Sequence, residues 1–121
     1  MTDALAPGAA LSVAALDVPL EPATVDAAGP RAGLVSLATL AGFDVGVWEH
    51  TAGTSTDVEE DEVSVVLSGS ATIRFEDGAE LAITAGDVLR LASGMRTTWT
   101  IHDTLRKVYV SPAATIAPSG A

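Results

Sequence analysis

Two glycine-bounded segments restrict this chain more than anything else in it: Glu62-Val-Ser-Val-Val-Leu-Ser-Gly69 and Gly86-Asp-Val-Leu-Arg-Leu-Ala-Ser-Gly94. Each is a short apolar run that begins or ends at a glycine turn, and such runs read as strands, being too short for helices. The same punctuation recurs along the chain. Gly33 to Leu40 and Phe43 to Glu49 flank a turn at Ala41-Gly42, and Phe43, Val45 and Val47 alternate with Asp44 and Gly46. A hairpin is the simplest join. Ala71, Ile73 and Phe75 alternate with Thr72, Arg74 and Glu76, which marks a half-buried strand, and Asp77-Gly78 is a tight-turn signal before Glu80 to Thr84. Val88 to Leu91, Arg96 to His102 and Leu105 to Val110 complete the series. Seven or eight short strands without a helical period predict an all-β fold, an antiparallel sandwich or barrel.

The remaining segments set the boundaries. Prolines at 7, 19, 22 and 30 exclude a long helix near the N-terminus. Residues 1–32 are read as an extended arm over the body or over a partner subunit, 33–111 as the folded domain and 112–121 as a tail. Leu11 to Leu16 suits a strand or one helical turn. Thr51 to Thr56 reads as a loop, and the acidic run Asp57 to Glu62 as a solvated one, except that Glu62 opens an apolar strand.

At 121 residues one core is expected. Sixteen acids against six bases give a net charge of -10, which disfavours nucleic acid and anionic membranes as partners. Lys107 is the only lysine. Cysteine is absent, which excludes disulfides, thiolate metal sites and a cysteine nucleophile. No apolar run approaches the length of a membrane helix, and the first residues carry an acid where a secretory signal has bases. A cytoplasmic protein is the expectation.

Glu62 with Gly69, and Gly86 with Ala92-Ser93-Gly94, resemble the two cupin motifs, with Ala92 in place of a proline. Gly46-Val-Trp-Glu49, the acidic loop, Ala85-Gly-Asp87, Trp99 and Leu105-Arg-Lys-Val-Tyr-Val110 are similar to one branch, the small RmlC-like cupins grouped with ureidoglycine aminohydrolase-like and ethanolamine-utilisation proteins. The resemblance covers roughly Gly33 to Val110. It implies the cupin double-stranded β-helix, a small antiparallel jelly roll with an open mouth.

The departures bear on function. Metal-binding cupins place two histidines shortly before the glutamate and another after the second-motif glycine. Here those places fall within Ser55, Thr56, Asp57 and Val58, and at Thr97. Glu62 alone of the ligand set remains, and one carboxylate does not make a transition-metal site. No metal and no cofactor are expected. His50 and His102 lie elsewhere, and a site using His50 with Glu49 is the remaining metal alternative.

What is left is a polar set. If Glu62 faces inward, Ser64 and Val66 do too; Thr97, Trp99 and Ile101 share a face, as do Leu105, Lys107 and Tyr109. An interior Lys107 needs a counter-charge, for which Glu62 and Glu49 are candidates. The candidate ligand-binding residues are Glu62, Lys107, Trp99, Tyr109, Glu49 and Trp48. A structural ion pair in a packed core accounts for the same residues equally well. Arg74, Arg90 and Arg96 read as solvent-facing.

The strand from Glu62 is apolar on both faces, which calls for a cover from the arm or from a second copy. A homodimer is expected. Three functions fit: a metal-free cupin binding a small molecule, an enzyme on a small nitrogenous metabolite, and a structural or regulatory protein with a filled barrel.

Overall fold

The computed structural model describes residues 4–23 and 29–113. Among them are eight strands and no helix: β1 (Glu21–Ala23), β2 (Ala32–Leu40), β3 (Phe43–His50), β4 (Gly53–Val58), β5 (Glu62–Phe75), β6 (Glu80–Thr84), β7 (Val88–Leu91) and β8 (Arg96–Pro112). Every pairing is antiparallel. The all-β antiparallel fold expected from the strand pattern is present, as the jelly roll that the cupin resemblance implies. No helix of the described residues is long and apolar enough to cross a membrane.

Two long strands organise the molecule. The first half of β5 pairs with β7 and with the second half of β8, which continues through β3 and β2 to β1. The second half of β5 pairs with β6 and with the first half of β8, and β4 flanks that half of β8. Both strands therefore serve both walls. The crossing lies where the β5–β8 register shifts, between Val66 and Ala71. Gly69 sits there with φ +88°, and a Cβ on it would overlap the Thr104 carbonyl, so only glycine fits the bend.

This corrects the strand reading in three places. Gly69 is a bend inside one strand, whereas its spacing suggested a turn between two. His102-Asp103 likewise lies inside β8, where His102 is exposed and its Nε2 bonds Thr72 Oγ1 at 2.9 Å. Residues Gly53–Val58 form β4, although Thr51 to Thr56 read as loop: the Thr-Ser-Thr run lacks apolar alternation, and its strand conformation comes from pairing along Arg96 to Ile101.

The β2–β3 hairpin turns at Ala41-Gly42 as expected, with φ of 52° and 83°, the positive values of a two-residue turn matched to strand twist. The core contains Val66, Ile73, Leu89, Leu91, Trp99, Ile101 and Leu105. Each large aliphatic fully buried there contributes about 1.5–3 kcal/mol.

Part of the N-terminal segment lies against β2 and β8. Leu5 N donates to Leu37 O, and Arg106 Nη1 donates to the carbonyls of Ala15 and Val18. Within Leu11 to Leu16, the chain enters a turn in which Asp17 and Val18 N–H groups donate to Ala14 O. Beyond this cover, the outer face exposes Val63, Val65, Val88 and Val110. In register, Val63 lies opposite Val110 and Val65 opposite Val88, so these form one stripe.

Candidate functional site

Strand parity places the polar set. On β8, Leu105, Lys107 and Tyr109 are buried while Arg106 and Val110 face outward. Glu62 and Ser64 point inward from β5, and Trp48 does so from β3, opposite Lys107. Of these, Lys107, Tyr109, Glu62 and Trp48, together with Trp99 and Ser55, line a cavity of about 180 Å³ whose lining also includes Asp57, Glu59 and Glu60.

Lys107 is its centre. The side chain is 5% exposed, and Nζ pairs with Glu62 Oε2 at 2.5 Å. The same ammonium lies 4.8 Å from the Trp48 ring centroid and 5.1 Å from that of Trp99. The two indoles are 5.8 Å apart and tilted, so they form two sides of a box around the charge. A carboxylate and two π-faces together offset the desolvation of a buried ammonium. Lys107 is thereby held by a salt bridge and by electrostatic attraction to both rings.

Tyr109 lines the cavity beside this pair. Its hydroxyl donates to Asp44 Oδ2 at 3.1 Å, and Asp44 in turn accepts from Ser36 Oγ at 2.5 Å. Burial first, then the Asp44 charge and hydrogen bond, push the phenol well above its ordinary value. Gly46 makes the space, since a Cβ there would strike the Tyr109 hydroxyl and the Val35 carbonyl.

Glu49 does not join the site. It neighbours Trp48, so parity turns it to the opposite face, where Oε1 accepts from Arg106 Nε at 2.9 Å. Glu62 is the counter-charge of Lys107. His50 is buried; its Nδ1 lies 2.7 Å from Thr51 O and its Nε2 2.9 Å from Ser55 Oγ. With Nδ1–H donating to the carbonyl, Nε2 accepts the serine proton. Both ring nitrogens are engaged and Glu49 faces away, so the His50–Glu49 metal alternative does not hold.

Glu59 is the site residue that sequence reasoning missed. It sits in an acidic run that looks solvated, yet it is buried. Its N–H donates to Met95 O and its carbonyl accepts from Gly94 N–H, while its Oε2 accepts from Thr97 Oγ1 at 2.6 Å and from Trp99 Nε1 at 2.9 Å. Neither Thr97 nor Trp99 is near it in sequence, so composition alone gives no sign of the contact.

The EutQ-like cupin family model matches residues 37–109, which is more than half of the chain. The chain belongs to the EutQ-like cupin family. The EutQ protein of Clostridium difficile is similar in structure, with a TM-score of 0.70 and 19% identity over 80% of this chain and 82% of that one. A putative ethanolamine utilisation protein Q of Salmonella typhimurium gives 0.62 and 25% over 70% and 72%. A DUF861 protein of unknown function from Pseudomonas syringae gives 0.66 and 22% over 77% and 44%. No curated protein matches the sequence at a significant level. The resemblance to the ethanolamine-utilisation branch is thus borne out.

The cupin resemblance implies a metal site. The residues here do not fit one. Ser55 Oγ is bonded to His50, Thr97 Oγ1 donates to Glu59, and Glu62 is paired with an ammonium. Among the described residues, no three His, Cys, Asp or Glu side chains are grouped to hold an ion.

Proposed function

We propose that this EutQ-like cupin binds a small polar metabolite in the barrel, with Glu62 and Lys107 supplying the recognition charges and Trp48, Trp99 and Tyr109 the walls. The observation that carries the reading is the placement of the Lys107–Glu62 pair on the lining of an open cavity. Sealing such a pair completely costs its desolvation, and here Glu62 keeps 18% of its side chain accessible, so the pair faces the cavity instead of lying within the packed core. A few convergent polar groups on aromatic walls are the usual make-up of a small-molecule site. The cavity also weighs against a barrel filled by its own side chains.

The test is Lys107→Met, which keeps the methylene stem between the indoles and removes the charge. Native mass spectrometry of protein purified under gentle conditions reads the co-purifying small molecule on the parent, and its loss from the variant is the expected outcome. Equal occupancy in the variant would remove Lys107 from recognition. An enzymatic role on a small nitrogenous metabolite remains the second reading, favoured by Ser55 on the cavity lining, whose hydroxyl is hydrogen-bonded to the buried His50 behind it.

We further propose a cytoplasmic homodimer. The supporting feature is the apolar stripe of Val63, Val65, Val88 and Val110, which the N-terminal segment leaves exposed. A flat, self-complementary strand face suits a two-fold interface.

A further inference from the structure

We infer that the ligand of this cavity carries a small organic cation, a protonated amine or amidine, and that Glu59 is the carboxylate that receives it. The inference rests on the reading of the cavity as a binding site and goes beyond it in assigning the charge of the ligand and a residue that the Glu62–Lys107 pair does not include. Glu59 is 7% exposed. Buried carboxylates are normally paired with a cation, because an isolated one loses its hydration without return. Among the described residues no lysine, arginine or histidine forms a salt bridge with Glu59. Its side-chain partners are neutral donors, the Thr97 hydroxyl and the Trp99 indole N–H, and both reach the same oxygen, Oε2. Oε1 has no bonded protein donor among the described residues and keeps access to solvent on the cavity side, the one buried side-chain polar atom left without a partner there being Ser64 Oγ.

The surroundings point the same way. The cavity lining includes four carboxylates, Asp57, Glu59, Glu60 and Glu62, against one ammonium, Lys107, and that ammonium is already committed to Glu62. An anionic ligand would meet three unneutralised acids; a cationic one supplies the missing charge. A bare metal ion is disfavoured by the absence of a three-ligand group among the described residues. A cavity of about 180 Å³ holds roughly six waters' worth of liquid volume, enough for a short alkylammonium and too little for a nucleotide.

Glu59 is fixed in advance by the backbone hydrogen bonds to Met95 and Gly94. A ligand amine therefore meets a carboxylate already oriented, at little ordering cost. The competing role is a latch: Glu59 holds the loop to Thr97 and Trp99 and touches no ligand.

The experiment uses the chain's own optical reporter. Its two tryptophans, Trp48 and Trp99, both line the cavity, so intrinsic fluorescence reads occupancy directly. The full-length protein is titrated at constant ionic strength with n-butylammonium, 1-butanol and butyrate, which share size and differ in charge. The expected result is saturable binding of butylammonium about tenfold or more tighter than butanol, with butyrate weakest, since a charge-assisted hydrogen bond is worth at least one decade. Glu59→Gln keeps an oxygen for Thr97 and Trp99, and is expected to lose about that tenfold while its circular dichroism and its butanol response persist. Glu76→Gln, outside the cavity, should change nothing. Butanol or butyrate binding as well as butylammonium would overturn the cation assignment and leave the binding site standing. Undiminished butylammonium affinity in Glu59→Gln would make Glu59 a latch only. Absence of a response to all three probes would overturn both the assignment and the binding reading.

Discussion

Replacing Gly69 by alanine tests the central feature of the fold, and Gly78 provides its control. The two glycines have almost the same backbone, φ +88° and +90°. A Cβ in this left-handed region costs about 1–2 kcal/mol whatever surrounds it. At Gly78 nothing lies within 4 Å of the added carbon, so Gly78→Ala should cost only that. At Gly69 the carbon would overlap the carbonyl of Thr104 and press on that of Asp103. Neither can withdraw cheaply, because β8 is hydrogen-bonded to β5 on both sides of this point. Overpacking adds about 1–3 kcal/mol where neighbours can yield, and rigid backbone yields least. Gly69→Ala should therefore lose about 4 kcal/mol or more, a large share of a small domain's stability. Urea unfolding followed by tryptophan fluorescence measures both variants. Failure of Gly69→Ala to accumulate as folded protein, with Gly78→Ala normal, is the same result in stronger form. A difference between the two below about 0.5 kcal/mol would refute the bend as the point where one strand passes between two walls.

Three further outcomes follow from the site and its outer face. Lys107→Met and Glu62→Gln should each cost about 2–3 kcal/mol in urea melts, with the double variant costing no more than either alone, because each single change strands a buried partner; additive losses would mean that the pair is not coupled. Tyr109 is the only tyrosine, and its raised pKa keeps it protonated in the fold while an unfolded tyrosine ionises near about pH 10. The unfolded state then binds fewer protons, so stability is present below that pH and falls as pH rises through the folded value; tyrosinate absorbance should appear only with unfolding, and its appearance in the folded protein near pH 10 would contradict the Asp44 arrangement. Val63→Glu should convert a dimer to a monomer by light scattering, and a monomeric parent protein would exclude the proposed interface.

The sequence made the strand content legible because alternation and glycine turns are local signals. Parity together with the family resemblance turns Glu62, Trp99, Lys107 and Tyr109 toward one interior, and Trp48 joins them through its register with Lys107. The limits were also physical. Glu49 was grouped with Trp48 although adjacent strand residues face opposite ways, and parity alone rules out both pointing inward. Gly69 looked like a turn because positive φ serves a turn and a bend alike; only the β8 backbone beside it distinguishes them. Glu59 was hidden in an acidic run because its burial depends on Thr97 and Trp99, about forty positions away. Long-range hydrogen bonds of this kind leave no periodic trace.

Because β5 and β8 each run through both walls, the jelly roll has no independent halves. In a sandwich whose sheets are joined only by loops, one sheet can slide while the other stays put. Here the Trp99 and Lys107 sides of the cavity are consecutive stretches of the same strand, joined through the Asp103-Thr104 region beside Gly69. Widening the cavity therefore means flexing two continuous strands at their tightest crossing. The bore of such a vessel is fixed by the crossing itself, and no wall can move without the other.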